Sequence, residues 1–321
     1  MNKKSIIFIL GPTCVGKTEI SLFLAKKLET EILSCDSRQF YKELRIGTSM
    51  PTLEELSSIP HHFIGHLSIH HVYNAKLFEI DCLKKINKLF KKKSILIIVG
   101  GSGLYEKAIT EGLSTLPKID SSIRNNLIFH FKKNGISFLH EEFKKIQLKI
   151  KDKENKSIID IYNPIRLIRY LEIVKSTGHH PSFFFEKKPK KRNFFVFKIG
   201  LIIPRNEIYY RINNRVENMM KKGLLDEAKV YYCHRNLNSL QTIGYKELFE
   251  LFSRSEEKIC LNETIEKIKI NTRRYAKRQL TWYRKDPSII WFNPKEKNKI
   301  FDFILKKIVG NTGFEPVTSC L

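Results

Sequence analysis

Apolar runs and amphipathic stretches alternate along the first hundred or so residues in the order a parallel α/β sheet requires. Ser5-Ile-Ile-Phe-Ile-Leu10 is apolar after its first residue and reads as a buried strand. It leads through the loop Gly11-Pro-Thr-Cys-Val-Gly-Lys-Thr18 into the helix-like Glu19-Ile-Ser-Leu-Phe-Leu-Ala25. A second run, Glu31-Ile-Leu-Ser-Cys-Asp36, ends in Ser37, Arg38 and Gln39, and a third, Ser94-Ile-Leu-Ile-Ile-Val99, enters the turn Gly100-Gly-Ser-Gly-Leu-Tyr105 before another helix. Between 116 and 191 the texture changes to charged helical segments with Lys-rich faces, such as Phe138 to Leu148, and no strand-like run interrupts it. That pattern predicts a helical insertion, with the basic stretch Glu186 to Arg192 as a solvated exit linker. Phe194 to Ile203 returns the chain to the sheet, Ile208, Ile212, Val216 and Met219 mark the buried stripe of the following helix, and a last long helix covers about 262 to 285.

The expected fold is therefore α/β, a P-loop NTPase-like parallel sheet flanked by helices, with a helical insertion domain. Residues 1–115 and 192–300 would form the core, 116–191 the insertion, and 301–321 a partly disordered tail. No internal repeat is visible.

The loop carries the first chemistry. Its spacing, G-x-x-x-x-G-K-T between strand and helix, turns backbone N–H groups toward an anion while the positive end of the helix faces the same point. Lys17 would reach a terminal phosphate, and the Thr18 hydroxyl would ligate Mg²⁺. Kinases, NTPases and transferases acting on diphosphate esters share such a cradle, so ATP and other phosphates remain open at this point. In a parallel sheet ligands sit beyond the carboxyl ends of the strands, which places Asp36 and the turn at Gly100 by the same crevice. Arg211 and Arg215, four residues apart, share one helix face, where guanidinium groups fork onto a diphosphate or form surface salt bridges.

Charge adds a partner. The 58 Lys and Arg against 33 Asp and Glu give +25 over 321 residues, which favours a polyanion, most naturally nucleic acid. Within Thr272-Arg-Arg-Tyr-Ala-Lys-Arg-Gln-Leu-Thr-Trp-Tyr-Arg284, the basic residues Arg274, Lys277 and Arg278 interleave with Tyr275, Trp282 and Tyr283, a surface suited to a sugar–phosphate backbone and unpaired bases. The alternative puts those aromatics in the core. The six cysteines lack C-x-x-C pairing and read as reduced thiols of a cytoplasmic protein with no zinc site. Neither a signal peptide nor a membrane span is predicted.

Seven blocks together, GPTCVGKT, DSRQFY with IGT at 36–48, PHH at 60–62, GGSGLY at 100–105, NPIRLIRYLEI at 163–173, QTIGYKE at 241–247 and the 272–284 segment, resemble the tRNA dimethylallyltransferase family in order and spacing over residues 5 to 292. The resemblance implies transfer of a dimethylallyl group from its diphosphate to N6 of the adenosine 3′ to the anticodon. It implies that Gly11, Pro12, Thr13, Cys14, Val15, Gly16, Lys17 and Thr18, with Arg166 and Arg211, hold the donor's diphosphate, and that Thr18 also ligates Mg²⁺. It also implies that Asp36 is the general base, with Thr18, Ser102 and Arg211 assisting catalysis. Asp36, Ser37, Arg38, Gln39, Ser102, the segment Ile165, Arg166, Leu167, Ile168 and Arg169, the segment Gln241, Thr242, Ile243, Gly244, Tyr245 and Lys246, and Arg274, Lys277 and Arg278 are implied to contact the tRNA anticodon stem-loop. Ser102 stands where the family usually has threonine, and Ile165 where it usually has glutamine. The stretch Lys151 to Lys156 replaces a Leu-Asp-Pro-like segment, and 311–321 has no counterpart. A monomer is expected. The rival readings are a P-loop small-molecule kinase, against which Ile95–Val99 ends in glycines rather than a carboxylate, and a non-catalytic RNA-binding protein with a decayed nucleotide site.

Overall fold

A computed structural model describes residues 4–117, 119–147, 159–185, 189–253 and 257–312. Six strands, β1 (Ser5–Leu10), β2 (Ile32–Ser34), β3 (His61–His62), β4 (Ile95–Val99), β5 (Phe195–Leu201) and β6 (Ile289–Phe292), form one sheet in the order β3-β2-β4-β1-β5-β6. Every pairing is parallel, with Ile7 of the central strand in register with Ile97 on one side and Phe197 on the other.

The helices are α1 (Lys17–Lys27), α2 (Leu53–Ser58), α3 (Ala75–Leu89), α4 (Gly103–Thr110), α5 (Ser121–Gln147, kinked at Gly135), α6 (Pro164–Thr177), α7 (Arg205–Lys221), α8 (Leu224–Val230), α9 (Tyr245–Phe252), α10 (Glu257–Tyr283) and α11 (Lys297–Thr312). Strand β1 is buried throughout, and its period of two divides the core. Ile6, Phe8 and Leu10 pack with side chains of α3, α8, α9 and α10 on one face. Ile7 and Ile9 pack with Ile20 and Leu24 of α1, Ile208 and Ile212 of α7, and α11 on the other. The stripe expected on α7 is thus buried at Ile208, Ile212 and Val216, with Met219 partly so.

Two compact units result, Met1–Glu111 with Lys191–Leu321, and Gly112–Lys190. The second unit has its own core, in which Leu127 and Leu139 of α5 meet Leu167, Tyr170 and Leu171 of α6. Leu148, Lys151 to Lys156 and residues 186–188 of the expected linker lie outside the described residues.

The expected tail needs correction up to residue 312. Helix α11 runs through it, and Ile300 and Ile304, one turn apart, are fully buried beside α1 and β1. Phe301 meets Phe23 of α1 edge-on with ring centroids 6.4 Å apart, and Phe303 meets Phe292 of β6 at 5.4 Å. The spacing 300, 304, 308 is an i, i+4, i+8 stripe, which covers a sheet face that would otherwise be wet. Residues 313–321 lie outside the described residues.

Candidate active site

The loop after β1 is shaped by two backbone requirements. Gly11 has φ 140°, and a Cβ there would stand 2.7 Å from the Leu201 carbonyl oxygen, so the turn closes against β5 only with glycine. Gly16, at φ 105°, caps α1 in the left-handed region and starts the helix at Lys17. Cys14 and Val15 are buried in the core beneath the loop, so they give it backbone groups and anchorage rather than reactive side chains.

Lys17 Nζ donates to the carbonyl oxygens of Gly11 (3.0 Å) and Pro12 (2.7 Å), spanning the loop. Burial pulls its pKa down to about 8, with Asp36 pushing it back up and Arg215 lowering it further. The Thr18 side chain is exposed at the start of α1. Arg215 Nη1 donates to Thr13 Oγ1 at 3.1 Å. Arg211 forms an ion pair with Glu207 at 2.7 Å, and its Nη1 lies 3.9 Å from where a Cβ on Gly16 would be. Of the two arginines, Arg215 is the one bonded to the loop.

Across the crevice, the chain leaving β2 supplies Asp36. Its Oδ1 accepts from the Arg38 N–H at 3.0 Å, and the Asp36 N–H donates to Ser34 Oγ at 3.2 Å. Ser102, at the end of the glycine turn after β4, accepts from the Ser37 N–H at 3.2 Å and donates to Ser37 Oγ at 3.2 Å. Arg38 gives its guanidinium to the carbonyls of Asn238, Ser239 and Gln241, and Gln39 gives its amide to those of Thr48 and Ser49. These side chains tie three surface loops together around a cavity of about 420 Å³.

Thr13 and Asp36 both line that cavity, as do Ser37, Arg38, Gln241, Thr242, Ile243, Gly244, Lys246 and Arg278. Tyr275 lines it too, and burial, then Asp36, raises its pKa far above the usual phenol value.

Other expected nucleic-acid contacts are not among the residues that line this cavity. Tyr245 is fully buried, with its hydroxyl on Glu227 Oε1 at 2.5 Å, so it supports the site from below and is not a wall of it. Leu167 and Ile168 face the core of the second unit. In that unit Ile165 is 75% exposed, Arg166 pairs with Asp160 at 3.7 Å, and Arg169 pairs with buried Glu172. Arg274 bonds Asn271, and Lys277 lines a separate pocket with Arg205 and Arg284. Of the other aromatics on α10, Trp282 is 46% exposed against Gly103, while Tyr283 is buried. Cys14, Cys35 and Cys82 are free buried thiols, and burial first of all raises the pKa of Cys35, which keeps it protonated and inert.

Gln279 escaped the sequence reading, although it sits inside the block at 272–284. Thr272, Tyr275 and Gln279 follow one another at three- and four-residue steps, which is the only signal that could have marked a common face.

A glycine loop of G-x-x-x-x-G-K-T spacing and a carboxylate open on one cavity at the carboxyl edge of a parallel sheet, the layout of an α/β enzyme of group transfer. A sequence model of the IPP transferase family matches residues 39–286, and the chain belongs to that family. Its relatives include proteins named tRNA dimethylallyltransferase from Christiangramia forsetii, 48% identical over 94% of this chain and 98% of the relative, and tRNA dimethylallyltransferase 1 from Bacteroides fragilis, 41% identical over 96% and 100%. The crystal structure of the full-length tRNA isopentenylpyrophosphate transferase from Bacillus halodurans superposes with a TM-score of 0.70 at 34% identity, covering 97% of this chain and 98% of that one.

Proposed function

We propose that this transferase moves a dimethylallyl group from dimethylallyl diphosphate to N6 of the adenosine 3′ to the anticodon, within the anticodon stem-loop of certain tRNAs. The observation that carries the proposal is the shared cavity: the diphosphate loop, through Thr13, and the carboxylate of Asp36 face one space. The loop's inward amides and Lys17 bind the diphosphate and stabilise the charge it gains as it leaves. Adenine N6 attacks the prenyl carbon, the C–O bond to diphosphate breaks with its electron pair, and the N6 proton passes to the Asp36 carboxylate. An anticodon-loop base is unpaired, so its extrusion into the cavity costs little.

Mg²⁺ fits the loop on chemical grounds. The exposed Thr18 hydroxyl is an oxygen donor at a helix N-terminus, and among the described residues no group of three His, Cys, Asp or Glu side chains forms a ready-made cage. Such an ion takes most of its ligands from phosphate and water, and when bound it offsets charge on the departing diphosphate. The net charge of +25, with Arg278 and Lys246 at the cavity, suits the tRNA backbone. Among the described residues no helix is long and apolar enough to cross a membrane. A cytoplasmic monomer completes the proposal.

The test supplies dimethylallyl diphosphate or ATP with a stem-loop RNA and reads the RNA by mass. One added prenyl unit on the loop adenosine, with the donor and not with ATP, is the expected result. Asp36→Asn should cut turnover on the order of 10²-fold while leaving stem-loop affinity nearly intact. A phosphorylated product, or an Asp36→Asn enzyme with full turnover, would overturn it.

A further inference from the structure

Gln279 of α10 is 5% exposed, and both ends of its side-chain amide are bonded. Its Oε1 accepts the Thr13 N–H of the phosphate loop at 2.8 Å, and its Nε2 donates to the Gly101 carbonyl at 2.8 Å. The orientation of the amide is unambiguous, because the loop offers a donor and the glycine turn offers an acceptor. Contact is so close that a Cβ on Gly101 would stand 2.2 Å from Nε2 and 3.7 Å from Lys17 Nζ.

Each end of the bridge continues into one half of the site. On one side, Thr13 is held a second time by Arg215, in the loop that Lys17 spans. On the other, Gly101 precedes Ser102, which is bonded to both the backbone N–H and the hydroxyl of Ser37, next to Asp36. A continuous path therefore runs from Thr13 through Gln279, Gly101, Ser102 and Ser37 to Asp36. An uncharged amide accepts at one end and donates at the other in a fixed plane, as this bridge requires.

We propose that Gln279 is a positioning residue that sets the spacing between the leaving-group loop and the base that receives the acceptor's proton. This rests on the function proposed above. Displacement at carbon requires nucleophile, carbon and leaving oxygen in line, and a misplacement of about 1 Å can cost on the order of 10²-fold in rate. Thr13 gives its N–H to Gln279, so that amide serves as a fixed point of the loop rather than as an anion donor.

The test compares Gln279→Leu and Gln279→Glu with the wild type in single-turnover transfer at saturating donor and stem-loop, from pH 5.5 to 8.5. Gln279→Leu should lose on the order of 10²-fold in the rate of transfer at every pH, with stem-loop affinity within about threefold of wild type. Gln279→Glu still accepts from Thr13, but as a carboxylate it opposes the Gly101 carbonyl and donates to it only when protonated. Its rate relative to wild type should therefore climb as the pH falls. Lys17 titrates in both proteins, so the ratio isolates position 279.

A Gln279→Leu rate within threefold of wild type would overturn the proposal. So would a Gln279→Glu ratio that stays flat with pH, the mark of a merely structural role, and this second arm survives if Gln279→Leu fails to fold. Should the wild type itself transfer no prenyl group, the functional proposal fails instead.

Discussion

Raising the pH above 8 should weaken capture of the donor before it touches the chemical step. Lys17 must be protonated to attract a diphosphate, but burial has already brought its pKa down to about 8 in the free protein, with Arg215 adding to the shift and Asp36 resisting it. Because kcat/KM reports ionisations of the free enzyme, kcat/KM for dimethylallyl diphosphate should be level below that value and fall roughly tenfold per pH unit above it. The sign follows from the direction of the shift: a depressed lysine pKa means that the proton is lost earlier, on the alkaline side. Bound diphosphate favours the charged ammonium, so kcat at saturating donor should hold to higher pH than kcat/KM. Removing the Asp36 charge should move the midpoint of donor binding lower, since Asp36 is the largest influence raising this pKa. Calorimetric titration of Asp36→Asn with the donor, alongside initial rates of the wild type, reads both effects. A kcat/KM profile that stays flat to pH 10, or an Asp36→Asn midpoint displaced upward, would refute this account of Lys17.

Two further substitutions probe the supports of the site. Gly47→Ala would drive a methyl group to within 2.4–2.7 Å of the Tyr245 ring and hydroxyl, and Tyr245 cannot yield because it is fully buried and bonded to Glu227, so unfolding stability should drop by about 1–3 kcal/mol. An unchanged urea midpoint would show that the loop over Tyr245 relaxes freely. Ile304→Ala, at a fully buried position of α11, should cost about 2–5 kcal/mol by the same measurement, and a loss below about 0.5 kcal/mol would return α11 to the status of a tail.

What the chain disclosed in advance depended on how local each signal was. The strand–loop–helix turn at 11–18 was legible because glycine spacing, a preceding strand and a following helix all fall within some twenty residues. Asp36 was legible for the same reason: it ends an apolar run, and strand ends in parallel sheets face ligands. The helical unit was expected from its Lys-rich texture at 116–191, a change of composition that runs through the whole segment. Strand β3 is only His61 and His62, too short for any periodicity to register. Tyr245 was expected as a contact residue because its block resembles the family's tRNA-contacting segment, and only the packing of α9 turns it inward against Gly47. Gln279 was invisible for a different reason. A glutamine on a basic helix reads as solvated surface, and its partners lie 266 and 178 residues away in sequence.

The end of β4 explains why a loop of nucleotide-binding type can serve alkyl transfer here. In phosphoryl-transfer enzymes built on this loop, a carboxylate at a neighbouring strand end commonly holds the metal. In this chain β4 runs into Gly100 and Gly101, and a Cβ on Gly100 would stand 2.5 Å from Cys35 Sγ, so there is no room for a side chain where that carboxylate would be. The Gly101 carbonyl is bound to Gln279 and the Ser102 hydroxyl to Ser37, which leaves Asp36, from β2, as the carboxylate that lines the cavity. On the proposed function that difference matters: the end of β4 brings no carboxylate beside the leaving group to hold a metal, and the carboxylate that lines the cavity serves the acceptor. The acceptor amine is weakly basic and must lose a proton as it is alkylated, whereas the diphosphate leaves from the loop without needing one.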